Sequence, residues 1–199
     1  DRLVPAQAAM LSGDLLDATG HVRLNERRLM EYVHHSSRAG RQTETLAELA
    51  SPLYIALKFK AAMGTDIQLE LVDAIQRFPQ AAQDLQRVKA FVGKYLDICR
   101  RPEVPWAILQ AAHNEPDASP VRQSLQAVKD FAALKHIIQW INRPQLFDQC
   151  QLQFSASSSI KAVAYARDGE RVAYGCEDGT IQVVSVLTGD ILSTLTGHT

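Results

Sequence analysis

The sequence predicts an α+β protein in which a helical arm runs into a four-stranded antiparallel sheet. Three observations predict it. Up to Pro144, apolar residues recur at three- and four-residue steps, the spacing of a half-buried helix. After Pro144 the period becomes two. The second part is also punctuated by Asp-Gly and Thr-Gly pairs, the residues of tight hairpin turns. The expected division is residues 1–40, 41–144 and 145–199.

Within the first 40 residues, Leu15-Leu16, a turn at Asp17-Ala-Thr-Gly20, and His21-Val-Arg-Leu24 read as strand, turn, strand. Asn25-Glu26 then opens a helix with Leu29, Met30, Tyr32 and Val33 on its apolar side, ending before Gly40. A hairpin followed by a helix is how a winged-helix domain ends; a helix–loop–helix is the alternative.

Three short helices are expected between Thr43 and Phe78. Thr45 is placed to cap the first, Pro52 sits in the first turn of the second, and Gly64 closes it. Thr65 or Asp66 is placed to cap the third, with Ile67, Leu71, Val72 and Ile75 on one side. Leu85, Val88, Val92, Tyr95 and Leu96 predict a helix of about five turns ending at Arg100–Pro102. Arg100 and Arg101 read as a basic helix end. Trp106, Ile108 and Leu109 belong to a short helix. Asn114-Glu-Pro-Asp-Ala-Ser-Pro120 is a loop. From Pro120, with Ser119 as cap, a long helix is expected to reach Asn142, turning Leu125, Val128, Ala132, Ile138 and Ile141 inward.

In the last part Cys150, Leu152 and Phe154 alternate like a leading strand. Four further strands follow: Ile160–Tyr165, Arg171–Cys176, Thr180–Val186 and Ile191–Leu195. Asp168-Gly169, Asp178-Gly179 and Leu187-Thr-Gly-Asp190 turn between them, and Thr196-Gly197-His198-Thr199 follows.

These strands and turns resemble one blade of a WD-repeat β-propeller. The resemblance assigns structural positions to Asp178, Gly179, Gly197 and His198, with the Asp and His in a hydrogen-bond network that ties the blade together. It places Val184-Ser185 where the family has Trp-Asp, and Ser155-Ala156 where it has Gly-His. The blade is therefore divergent, with an incomplete network. A single blade needs neighbours on its faces. The leading strand would close the ring with a partner beyond Thr199.

The helical part resembles the region between the nucleotide-binding module and the propeller of NACHT and NB-ARC signalling ATPases with WD repeats. Residues Leu15 to Tyr32 resemble the end of their winged helix, without the His that family often has near Asn25. Leu46-Ala-Glu-Leu49, Tyr54-Ile-Ala-Leu-Lys58 and Gly64 resemble the helices that follow. Asn114–Val121 resembles their interhelical loop, and Trp140-Ile-Asn-Arg-Pro144 the approach to the first blade. The resemblance implies a non-catalytic, regulatory scaffold in an apoptosome-like assembly or in autoinhibition. It also implies an ATP-binding module upstream of Asp1, protein partners on the propeller and self-assembly of the parent protein. The alternative is a ribonucleoprotein component, as in the telomerase-associated members of this group.

The chemistry of the residues agrees with such a role. Lys plus Arg number 21 and Asp plus Glu 22, a formal charge of −1, without the basic excess typical of nucleic-acid binders. RNA is accordingly the less favoured partner. The chain contains no Gly-x-x-x-x-Gly-Lys-[Ser/Thr], so no phosphate-binding loop of that type, and no cofactor is expected in it. Cys99, Cys150 and Cys176 are odd in number and widely spaced, fitting reduced thiols in a cytoplasmic protein rather than disulfides or a zinc site. His34 and His35 are adjacent and point apart; His113 and His136 stand alone, so no metal site is expected. Ser155–Ser159 lacks a nucleophile elbow and reads as a loop, and no carboxylates are paired by spacing, so no catalytic residue is assigned. No apolar run reaches the roughly 20 residues of a membrane helix. Asp1-Arg2 does not open a signal peptide, and the lack of an initiator Met suggests an excised piece.

Overall fold

A computed structural model describes residues 11–16, 22–100, 107–127, 138, 140–143, 145–147 and 149–197. Strands β1 (Leu11–Leu16) and β2 (Val22–Leu24) form an antiparallel hairpin. Its turn, at 17–21, lies outside the described residues. Asn25 then caps α1 (Glu26–Arg38), its Oδ1 accepting the Arg28 N–H at 3.1 Å. Gly40, at φ +69°, ends the helix by taking the left-handed conformation that a side chain would resist. Leu29 and Val33 are buried, but Met30 is 50% exposed. The predicted apolar side was one residue too wide.

Helices α2 (Gln42–Leu49), α3 (Pro52–Lys60) and α4 (Gly64–Arg77) are the three expected short helices. Their ends differ from the sequence reading. Thr45 lies inside α2 and bonds back to the Arg41 carbonyl at 2.9 Å rather than capping the helix. Ser51 caps α3, with Pro52 at its first position. The left-handed stop of α3 falls on Ala62 (φ +58°), not on Gly64. Gly64 starts α4 instead, and its requirement is space. A Cβ there would come within 2.5 Å of the Phe59 ring. Neither Thr65 nor Asp66 caps α4; its N-cap is Met63, with no side-chain bond.

A 3₁₀ turn (Pro79–Ala81) leads into α5 (Ala82–Lys94), and the predicted five-turn helix breaks at Tyr95 before α6 (Leu96–Cys99). Helix α7 (Ala107–Asn114) follows; Trp106 is outside the described residues. The predicted helix from Pro120 is described as α8 (Pro120–Ala127); residues 128–137 lie outside the described residues, and 138 and 140–142 are not helical. Ile138 and Ile141 are exposed, not inward. The backbone there bonds to side chains. Gln110 donates Nε2 to the Ile138 carbonyl (2.6 Å) and accepts the Ile138 N–H (2.8 Å). Asn114 Oδ1 accepts the Trp140 N–H, and Arg143 pairs with Asp117. Val128 and Ala132 lie outside the described residues.

One apolar core joins α1 to α5, α7 and α8. Helix α3 is at its centre, with Tyr54, Ile55, Ala56, Leu57 and Lys58 all buried. Strands β3 (Ile160–Tyr165), β4 (Arg171–Cys176), β5 (Ile181–Ser185) and β6 (Ile191–Leu195) form a consecutive antiparallel meander. Gly169, Gly179 and Gly189 take positive φ at its three turns, as the Asp-Gly and Thr-Gly pairs require. The described residues therefore form an α+β fold. Tyr174, Cys176 and Val184 make a small second core with Phe154 and Ala156.

The Cys150–Phe154 segment is not a strand. Its alternation reports an extended backbone, but that backbone docks on a helix. The Gln153 N–H donates to the Gly93 carbonyl in α5 at 3.0 Å. Phe154 turns toward Tyr174, ring centroids 5.5 Å apart.

Candidate functional site

The turn between β4 and β5 is built by Asp178. Its Oδ1 accepts the Thr180 N–H (3.0 Å) and the Thr180 hydroxyl (2.6 Å), and Oδ2 accepts from Ser157 at 3.5 Å. These bonds favour the ionised carboxylate, the Thr180 hydroxyl most of all, and hold it below its ordinary range. Gly179 supplies the positive φ of 78°. Asp178 and Gly179 thus act together. Gly197 follows β6 at φ +105°, and His198 lies outside the described residues. Val184, in place of an indole, is buried in the small apolar core. Ser155, at the Gly-His position, bonds away from the sheet: its N–H donates to Asp97 at 3.3 Å and its hydroxyl to the same carboxylate.

That bond is part of a joint between the helical part and the sheet, which the sequence reading did not anticipate. Arg100, the C-cap of α6, directs its guanidinium into the β5–β6 turn. It donates to the Gly189 carbonyl (2.9 Å) and the Thr188 carbonyl (3.0 Å), and pairs with Asp190. The Thr65 hydroxyl, at the start of α4, donates to the other Asp190 oxygen at 3.0 Å. Two glycines let the surfaces approach. A Cβ on Gly189 would lie 2.3 Å from Leu96 Cδ2, and one on Gly93 would lie 2.0 Å from the Gln151 carbonyl oxygen. Arg100 does sit at a helix end, as expected, but its partner is a turn 88 to 90 residues away. Arg101 lies outside the described residues.

The carboxylates that looked scattered are partly gathered under α3. Lys58 is fully buried and donates to Glu70 Oε1 at 2.7 Å. Tyr54 donates to Glu70 Oε2, also at 2.7 Å. Glu48 faces Arg28 at 3.2 Å, and Arg28 also lies over the Tyr32 ring. Burial pushes Glu48 up to about 7, against the pull of Arg28. Burial raises Glu70 as well, opposed by Lys58. Each acid has its own cation, so this network braces α1, α2, α3 and α4 and leaves no free acid–base pair. Every one of its members sits at a helical spacing that reads as ordinary core or surface.

Among the described residues no three His, Cys, Asp or Glu side chains are grouped to hold a metal ion. His34 and His35 meet edge to face, 5.6 Å between centroids. Cys99 and Cys176 are buried free thiols, and burial pushes Cys99 up to about 12. No described helix is long and apolar enough to cross a membrane.

No protein-family model matches the chain. Over 87 residues, 43% of its length, it is 36% identical to telomerase protein component 1 of Rattus norvegicus. Against telomerase protein component 1 of Mus musculus it is 34% identical over the same length. The chain spans 3% of the length of these relatives, so what it shares with them is one stretch of two very long proteins.

Proposed function

We propose that the chain is a non-catalytic scaffold segment of a larger multidomain protein. In this reading a helical arm carries the first blade of a WD-repeat propeller, and the propeller binds protein partners. The single observation that supports it most is the Arg100 joint. It sets the sheet on the arm through two carbonyls and a carboxylate of one turn. A scaffold needs such a fixed angle, whereas a tethered binding module needs only a linker. Placed downstream of a NACHT or NB-ARC ATPase, arm and blade would move as one body and transmit propeller occupancy as a rotation. Spin labels on α5 and β4 test this. A narrow distance distribution is expected, and a broad one sinks the scaffold reading. The purified chain is expected to hydrolyse no ATP; turnover that persists through repurification contradicts a non-catalytic role.

The similarity to telomerase protein components favours a second reading, a structural part of a ribonucleoprotein particle. Here the tagged chain is expected to sediment from cells with an RNase-sensitive particle. Sedimentation unchanged by RNase removes this reading.

A further inference from the structure

A cleft of about 570 Å³ lies between α4, α5 and residues 147 and 149–151, beside the joint. That volume is within the range of ligand sites. Its walls combine three kinds of group. Arg87 and Lys89 bring positive charge, Phe91 and Phe147 bring rings, and Gln83 and Gln86 bring exposed carboxamides. Lys94 also lines it but is opposed by Glu115 at 3.7 Å. Arg87 shares its charge with the exposed Asp84 at 3.1 Å. Lys89 has no ion pair or hydrogen bond among the described residues and is half-buried at the wall. An ammonium at the cleft wall with no partner among the described residues favours an anion. The Arg87 guanidinium lies 4.2 Å over the Phe147 ring, so a cation already sits against an aromatic face. Both aromatic rings and guanidinium planes are surfaces on which a planar heterocycle stacks. The carboxamides offer both donors and acceptors to its edge.

Cation, stacking surface and amide edges together are complementary to a phosphate joined to a nucleobase. We propose that this cleft binds a nucleotide unit, with Lys89 on the phosphate, Arg87 and Phe147 stacking the base, and Gln83 and Gln86 at its edge. The unit can come from a single-stranded RNA or from a free mononucleotide. The RNA source rests on the ribonucleoprotein reading; the cleft's own chemistry does not.

Binding of a fluorescent ten-residue oligouridylate to the full chain tests the site, with AMP as the free-nucleotide arm and a ten-residue oligoglutamate as an anion without bases. The oligouridylate is expected to bind and the oligoglutamate not to. Lys89→Glu should weaken binding roughly tenfold and lower the salt slope by about one, and Lys89→Arg should preserve both. Phe147→Ala should weaken it by roughly tenfold through lost stacking. A thermal melt checks that each variant stays folded. AMP competing at similar affinity identifies a free mononucleotide as the ligand and still supports the cleft. Oligouridylate binding that none of these variants changes moves any RNA site elsewhere and overturns the cleft, leaving the ribonucleoprotein reading intact. Equal binding of oligoglutamate, or no binding of either nucleotide probe, also overturns it. An RNase-sensitive particle without oligouridylate or AMP binding would mean the chain joins it through protein contacts.

Discussion

Lys58 shows what a single residue does in this fold. It stands in the middle of α3 with no exposed surface, and its ammonium is neutralised by Glu70. Removing one partner of a buried pair strands the other charge, which costs about 3–5 kcal/mol. Lys58→Ala is expected to destabilise by that amount in a urea titration. Lys58→Met with Glu70→Met should recover most of it, since an apolar pair carries no desolvation penalty. A single variant as stable as wild type would contradict the pairing. Glu48 gives a pH dependence. Its folded value of about 7 lies above the ordinary 4.5, so between these values the folded state holds a proton that the unfolded chain has released. The Glu48 contribution therefore falls as pH rises from about 4.5 to about 7. Glu48→Gln should flatten that part of the stability profile in thermal melts. An unchanged slope would mean that Glu48 is ionised throughout. Lysine, like glutamate, usually marks the surface, so neither burial was legible at the residue level.

At the scale of elements, the joint between α6 and the β5–β6 turn carries a prediction. Gly189 has φ +69° and abuts Leu96, so Gly189→Val meets both backbone strain and overlap. It should speed amide exchange in the 185–190 turn and broaden the distance distribution between α5 and β4, while the α3 amides keep their protection. A turn as protected as in wild type would show that the close approach is dispensable. Arg100→Ala should act in the same direction more weakly, because its ion pair is half-exposed and screened by salt. The strands themselves were legible within a residue or so. Their turns depend on Asp168, Asp178 and three glycines, all acting on their nearest neighbours. The leading strand was not. Alternation in Cys150–Phe154 reports which way side chains point, and a helix glycine can pair with such a segment as readily as a strand can.

Across the whole molecule, the two parts differ in how completely they are covered. The helical part has a continuous core of fully buried side chains. The sheet buries only its centre: Val163 and Tyr165 in β3, and Ile191, Leu192 and Leu195 in β6, are exposed. The proposed blade reading expects such a surface, which neighbouring blades would cover. Local stability should follow coverage, with β3 and β6 amides exchanging faster than those of α3 by hydrogen exchange. Equal protection would mean that the meander is self-sufficient, which counts against the blade reading.

The sequence by itself determined the α+β class, the switch of period near Pro144, the three short helices and the three turns of the β3–β6 meander. Each of these follows from interactions within a few residues: capping, turn conformation and the spacing of apolar side chains. Only the tertiary structure decided that Arg100 would grip Thr188, Gly189 and Asp190, that Lys58 would be buried on Glu70, and that the Ile138 backbone would bond to Gln110. The physical reason is common to all three. A charged or amide side chain has the same local signature whether water or a distant backbone satisfies it, and which of them does is settled by the surfaces that folding brings together.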